Sequence, residues 1–217
     1  KNAVFDAQLR DISGTVGSLQ KLSNTDPELL QKYSKVYFLS ENYVPAKLAP
    51  IDSQYAYDKS RLLQTVAGTA PFLGSMLASA AQGGVTLQVV SAYRSFAEQV
   101  AVKTGYKVLY GSGANQFSAD QGYSEHQLGT AVDLTSPPLQ GVSVSFETSG
   151  AGKWMIENAY KFGFALSYPK NNAYYQFEPW HWRFVGAALA AKLHNENKYF
   201  YELSQREIDP YLISIFD

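Results

Sequence analysis

The stretch YSEHQLGTAVDL, residues 123–134, places His126 seven residues ahead of Asp133, with Gly129 and Ala131 between them. Gly129 to Leu134 reads as a β-strand, and a strand sends alternate side chains to one face. Gly129, Ala131 and Asp133 are therefore expected to share a face, the small residues clearing space in front of the carboxylate. His126 falls on the turn that enters this strand. An imidazole and a carboxylate so placed can reach one metal ion with no bulky side chain between them.

A second cluster, EPWHWRFVG at 178–186, holds Glu178 and His181. Pro179 forbids a regular helix interior there, so this is not the helical HExxH pattern. On an extended or bulged segment the two can still flank one ion, with Glu178 carrying a proton beside the ligands. The chain has three histidines and no cysteine, which excludes a thiol nucleophile, a disulfide framework and a thiolate metal site. Two His and one Asp leave a zinc position open for water, which points to hydrolytic zinc chemistry. The competing reading of each residue is ordinary: a hydrogen-bonded structural histidine or a solvated carboxylate. His194, in the polar helix end KLHNENK, takes that reading, and Trp180 and Trp182 are expected to pack.

Upstream, Val85–Val90 (VTLQVV) reads as a strand, and Ser95-Phe96-Ala97-Glu98 is a capping box opening a helix to about Tyr110. Arg94 sits where that strand turns into that helix, a position from which a side chain is presented to a cleft. It could bind a carboxylate bidentately or stabilise an oxyanion, against the alternative of a surface salt bridge. Gln99, one turn into the helix, could face the same cleft.

Residues 1–50 read as an N-terminal arm with a helix beginning at Thr25-Asp26-Pro27-Glu28, followed by an extended connector over 42–50. Helices are expected over 56–66 and 72–82, the second ending at Gly83-Gly84. Gly111–Gly122 reads as a loop, 150–162 as a helix ending at Gly163, 164–168 and 175–184 as strands, and Gly186–Asn195 as a helix. The tail, 199–217, is expected to dock through Tyr201, Leu203, Tyr211, Leu212 and Ile215. This makes an α+β chain with a small antiparallel sheet and flanking helices, the catalytic domain over 51–198.

The 217 residues carry 18 basic and 19 acidic side chains with no basic block, so nucleic-acid binding has no electrostatic support. No apolar run reaches the ~18 residues that span a bilayer. Membrane contact is thus expected only through an anchor outside this chain, which starts at Lys1 without a Met.

The run Ser124-x-His126-x-x-Gly129-x-Ala131-x-Asp133, followed by Glu178-x-x-His181 and preceded by SAYRS with Gln99, resembles the VanY-type zinc D-alanyl-D-alanine carboxypeptidases. These are relatives of the L,D-carboxypeptidases within the LAS peptidoglycan peptidases. The resemblance covers roughly residues 50 to 190 and implies one zinc ion held by His126, Asp133 and His181. It implies Glu178 as general base and acid, and Arg94 holding substrate and polarising the scissile carbonyl. Ser124 and Gln99 would line the substrate pocket. The implied reaction is release of the C-terminal D-alanine from peptidoglycan stem peptides by an exported enzyme of the cell wall or periplasm. An L,D-carboxypeptidase, an endopeptidase, or a wall-binding module with structural zinc remain the alternatives.

Overall fold

The computed structural model describes residues 39–110, 122–172, 176–212 and 214–217. The expected helix near residue 25 and nearly all of the 111–122 loop lie outside them. Strand β1 (Leu48–Pro50) pairs antiparallel with β2 (Gln64–Val66), Leu48 opposite Val66. The helix expected over 56–66 is not formed. Ser53–Tyr55 makes one 3-10 turn, Asp58 accepts from both the backbone and the hydroxyl of Ser60, and the chain then enters β2. Side-chain acceptors that capture nearby N–H groups offer the backbone an alternative to helix. Pairing does the rest: Tyr57 N–H donates to Val89 O at 2.9 Å and Ile51 N–H to Leu63 O at 2.8 Å.

The main sheet has four antiparallel strands in the order β3 (Gln88–Ser91), β4 (Ala131–Thr135), β6 (His181–Phe184), β5 (Phe164–Leu166). β3 carries a register shift between Val89 and Ser91. The strand expected over 175–184 is regular only from His181. Pro179 and Trp180 form a turn closed by His181 N–H donating to Glu178 O, because proline offers no N–H to a ladder.

Among the described residues, five helices surround the sheet: α1 (Ala70–Gln82), α2 (Phe96–Tyr110), α3 (Gly150–Asn158), α4 (Ala187–Glu196) and α5 (Gln205–Leu212). The capping box is formed: Ser95 N–H and Oγ both reach Glu98 Oε2 at 2.7 Å, and Glu98 N–H returns to Ser95 Oγ. α3 tightens into a 3-10 turn over Ala159–Phe162, which Gly163 terminates at φ 80°. Gly152, in the first turn of α3, has no room for a side chain, since a Cβ would lie 1.9 Å from Phe146 O.

Strand alternation sorts the sheet into two faces. Val132, Leu134, Trp182 and Phe184 face the helices and pack with Leu73, Met76 and Leu77 of α1, Met155 of α3, and Leu189 and Leu193 of α4. Phe184 is the hub, with Phe72 at 4.9 Å and Phe164 at 5.4 Å between ring centroids. The tail closes the structure, Phe216 stacking on Phe184 at 5.9 Å, while Tyr201, Leu203 and Ile215 are buried. The opposite face of β4 and β6 carries Ala131, Asp133, His181 and Arg183.

Candidate active site

Sheet register assembles the first part of the site. Asp133 on the inner strand β4 pairs with His181 on β6 and with Ser91 on β3, so the three side chains share one face. His126 arrives from the 3-10 turn Glu125–Leu128, which ends at Gly129 in the left-handed region at φ 72°. Gly129 therefore does not extend β4 or clear space before Asp133. It reverses the chain, and a Cβ there would meet Val66 and Pro45 at 3.0 and 3.3 Å.

His126, Asp133 and His181 are all buried, and one potential ligand atom from each lies within 4.8 Å of the others. His126 Nε2 is 3.2 Å from Asp133 Oδ2, and His181 Nδ1 is 3.0 Å from Asp133 Oδ1. Zinc bonds of 2.0–2.1 Å in tetrahedral geometry set neighbouring ligand atoms about 3.3 Å apart, close to this spacing. The other ring nitrogens are engaged: His126 Nδ1 donates to Ala92 O at 2.8 Å, and His181 Nε2 lies 2.9 Å from Glu125 Oε2. That arrangement leaves lone pairs of His126 Nε2, His181 Nδ1 and the Asp133 carboxylate converging, which suits a cation. The donor set fits zinc.

The electrostatics agree. Burial would lower the pKa of His181, but its hydrogen bonds to Asp133 and Glu125 outweigh that and push it up to about 10. Two carboxylates around one imidazole thus demand positive charge, which a proton or a divalent ion supplies. Burial also opposes ionisation of Asp133, yet His126 and His181 hold its carboxyl well below the usual range. His126 itself is pushed down, chiefly by burial.

Glu178 stands beside this trio with Oε2 3.9 Å from His181 Nδ1, its side chain 21% exposed. Burial, reinforced by Asp133 and Glu125, pushes its pKa up to about 7. Arg94 is tied to the site through its backbone, its N–H donating to His126 O at 3.1 Å. Its guanidinium donates to Gln99 Oε1 at 2.8 Å and to Ser91 Oγ at 2.7 Å. Gln99 is nearly fully buried, so the structure places its amide against Arg94. Ser124 is also buried, at the residue preceding the 3-10 turn that presents His126. His194 lies apart on the exposed side of α4, stacked on Tyr160 at 3.7 Å.

Two neighbours of His181, Tyr168 and Glu125, were not singled out in the sequence. Tyr168 stacks on its ring at 4.3 Å with an interplanar angle of 3°. Glu125 is completely buried and binds Arg183 Nη1 at 2.8 Å, Ser167 Oγ at 2.8 Å and Tyr201 OH at 2.7 Å. One signal was available: Arg183 lies two residues past His181, so strand alternation puts both on one face, and an arginine there needs a carboxylate.

The family described as VanY: D-alanyl-D-alanine carboxypeptidase matches residues 63–187, the span that holds Arg94, His126, Asp133, Glu178 and His181. The chain is 35% identical over 190 residues to a Bacillus subtilis (strain 168) protein named as carboxypeptidase YodJ, covering 84% of this chain and 68% of that one. Among solved structures, the LdcB LD-carboxypeptidase superimposes with a TM-score of 0.70 at 32% identity, over 78% of this chain and 82% of that one. A mutant of the D,D-pentapeptidase VanY from a VanB-type resistance cassette, in complex with Zn(II), superimposes with a TM-score of 0.62 at 26% identity, over 79% and 98%. On this evidence the chain is a carboxypeptidase-type protein of the LAS fold, and it belongs to the VanY family of D-alanyl-D-alanine carboxypeptidases.

Proposed function

We propose that this protein is a zinc-dependent D,D-carboxypeptidase that releases the C-terminal D-alanine of peptidoglycan stem peptides. The observation that carries the reading is the convergence of His126, Asp133 and His181 with a carboxylate, Glu178, standing beside them rather than among them. A purely structural metal site needs no such group, which weighs against a wall-binding module. Bound zinc supplies a Lewis acid for the scissile carbonyl and an acidified water. Glu178 accepts the proton of the attacking water and returns it to the departing amine of D-alanine. Its partly desolvated position raises its basicity, and a cation beside it draws the value back down. Arg94 binds the peptide's negative charge, whether the terminal carboxylate or the oxyanion forming at the carbonyl. Gln99 and Ser91 hold its guanidinium in place, and Ser124 borders the same pocket. The substrate lies outside the cytoplasm, so the protein works after export.

A second reading, L,D-carboxypeptidase action on tetrapeptide stems, is favoured by the similarity to the LdcB structure. Mass spectrometry of stem pentapeptide and tetrapeptide after incubation, with and without a chelator, separates the two. Chelator-sensitive loss of one D-alanine from the pentapeptide is expected. Cleavage of the tetrapeptide alone selects the L,D reading, internal cleavage an endopeptidase, and no cleavage by zinc-loaded protein overturns the proposal.

Arg94→Ala is expected to lower kcat/KM about 10–100-fold, the equivalent of 1.5–3 kcal/mol for a charge-assisted hydrogen bond. Zinc content should not change, because Arg94 is not among the ligands. Steady-state kinetics with metal analysis checks this, and unchanged kinetics would confine Arg94 to a structural role.

A further inference from the structure

We infer that Glu125 is a positioning residue for the metal centre: gripped by Arg183, Ser167 and Tyr201, it orients His181 and keeps the imidazole proton on Nε2, so that Nδ1 is presented to the ion. The inference rests on His181 being a zinc ligand, as proposed above.

The carboxylate divides its work between its two oxygens. Oε1 accepts from Arg183 Nη1, Ser167 Oγ and Tyr201 OH, at 2.8, 2.8 and 2.7 Å, while Oε2 meets His181 Nε2 at 2.9 Å. An ion pair serving stability alone would require only Arg183. Here three donors from three separate segments fix one oxygen and leave the other aimed at the imidazole. An ionised carboxylate can only accept, so His181 Nε2 must carry a hydrogen, and Nδ1 faces Asp133 and the ligand cluster. Tyr168, stacked flat on the ring, resists rotation away from this orientation. Glu125, Arg183, Ser167 and His181 are all at or below 1% exposure, so water cannot readily replace a lost partner. A carboxylate behind a ligating histidine also strengthens it as a donor. His126 receives its counterpart from a backbone carbonyl, that of Ala92, so side-chain substitution can alter the support of only one of the two histidines.

Tyr201 brings the C-terminal tail into the metal centre. It lies in the 3-10 turn Phe200–Glu202, beyond the stretch that matches the family, and its hydroxyl is the tail's contribution to the clamp.

The test compares full-length wild type, Glu125→Gln and Tyr201→Phe. Zinc dissociation constants are read by competition with a chromophoric chelator, and the visible spectrum of the cobalt-substituted protein reports ligand geometry. Long-range nitrogen–proton NMR reports the His181 tautomer. Glu125→Gln is expected to weaken zinc binding about 10–100-fold and to shift the cobalt spectrum. Tyr201→Phe removes one hydrogen bond and leaves the ion pair intact, so a two- to tenfold loss of roughly the same kind is expected. A folded Glu125→Gln protein with wild-type affinity, cobalt spectrum and His181 tautomer overturns the inference. Should Glu125→Gln not fold because Arg183 is left with an uncompensated charge, Tyr201→Phe decides, and wild-type values for it overturn the inference. Wild-type protein that binds no zinc overturns the ligand assignment itself, an outcome distinct from variants that match a zinc-binding wild type.

Discussion

Glu178→Gln is expected to carry one zinc per chain and to turn over stem peptide about 10²–10⁴-fold more slowly than the wild type, the range that loss of a positioned general base produces. Glutamine keeps the shape of the side chain and the backbone hydrogen bond from residue 178 to Tyr168 O, which holds the loop at 3.0 Å. It cannot accept a proton from water. The three candidate ligand atoms belong to other residues, so the metal should stay. KM should move little, because the change removes a step of chemistry rather than a contact with the resting peptide. Stopped assays of D-alanine release, paired with metal analysis of the same sample, give both quantities. A fall in kcat of less than about tenfold would place the base elsewhere, since general base catalysis contributes at least 10².

Alanine at His126 or His181 is expected to abolish stoichiometric zinc and with it all metal-dependent turnover. Each substitution removes one of three ligand atoms, and the pairs that remain hold an ion poorly. A thermodynamic readout follows from linkage. Zinc at 1,000 times its dissociation constant stabilises the wild type by about 4 kcal/mol, whereas a variant that no longer binds gains nothing. Thermal unfolding with and without zinc shows this as a shift in Tm present only in the wild type. His181→Ala leaves Glu125 with Arg183, Ser167 and Tyr201, so the metal-free protein keeps its buried ion pair. Retained one-to-one zinc in either variant would remove that histidine from the ligand set.

Local signals carried much of the fold. The Ser95–Glu98 capping box, the glycine stops at Gly83 and Gly163, and the strand read over Gly129–Leu134 all act over a few residues, and each is formed, the strand as Ala131–Thr135. The segment 56–66 went the other way. Its composition permits a helix, but its backbone donors are claimed by Val89 and by strand pairing, partners that no local pattern announces. Gly129 shows the same limit on a smaller scale: its place in the motif was legible, while its left-handed turn against Val66 and Pro45 was not.

The residue types and spacing of His126, Asp133, Glu178 and His181, in a chain without cysteine, already pointed to a candidate His and carboxylate metal site, with Glu178 as the base proposed beside it. That information is written in composition and order, which folding does not alter. Tertiary structure decided how the groups are held. Gln99 turns to Arg94, and Glu125 backs His181 through Arg183, Ser167 and a tyrosine 76 residues further along the chain. A buried carboxylate finds its partners by long-range packing, and in sequence it looks the same as a solvated one.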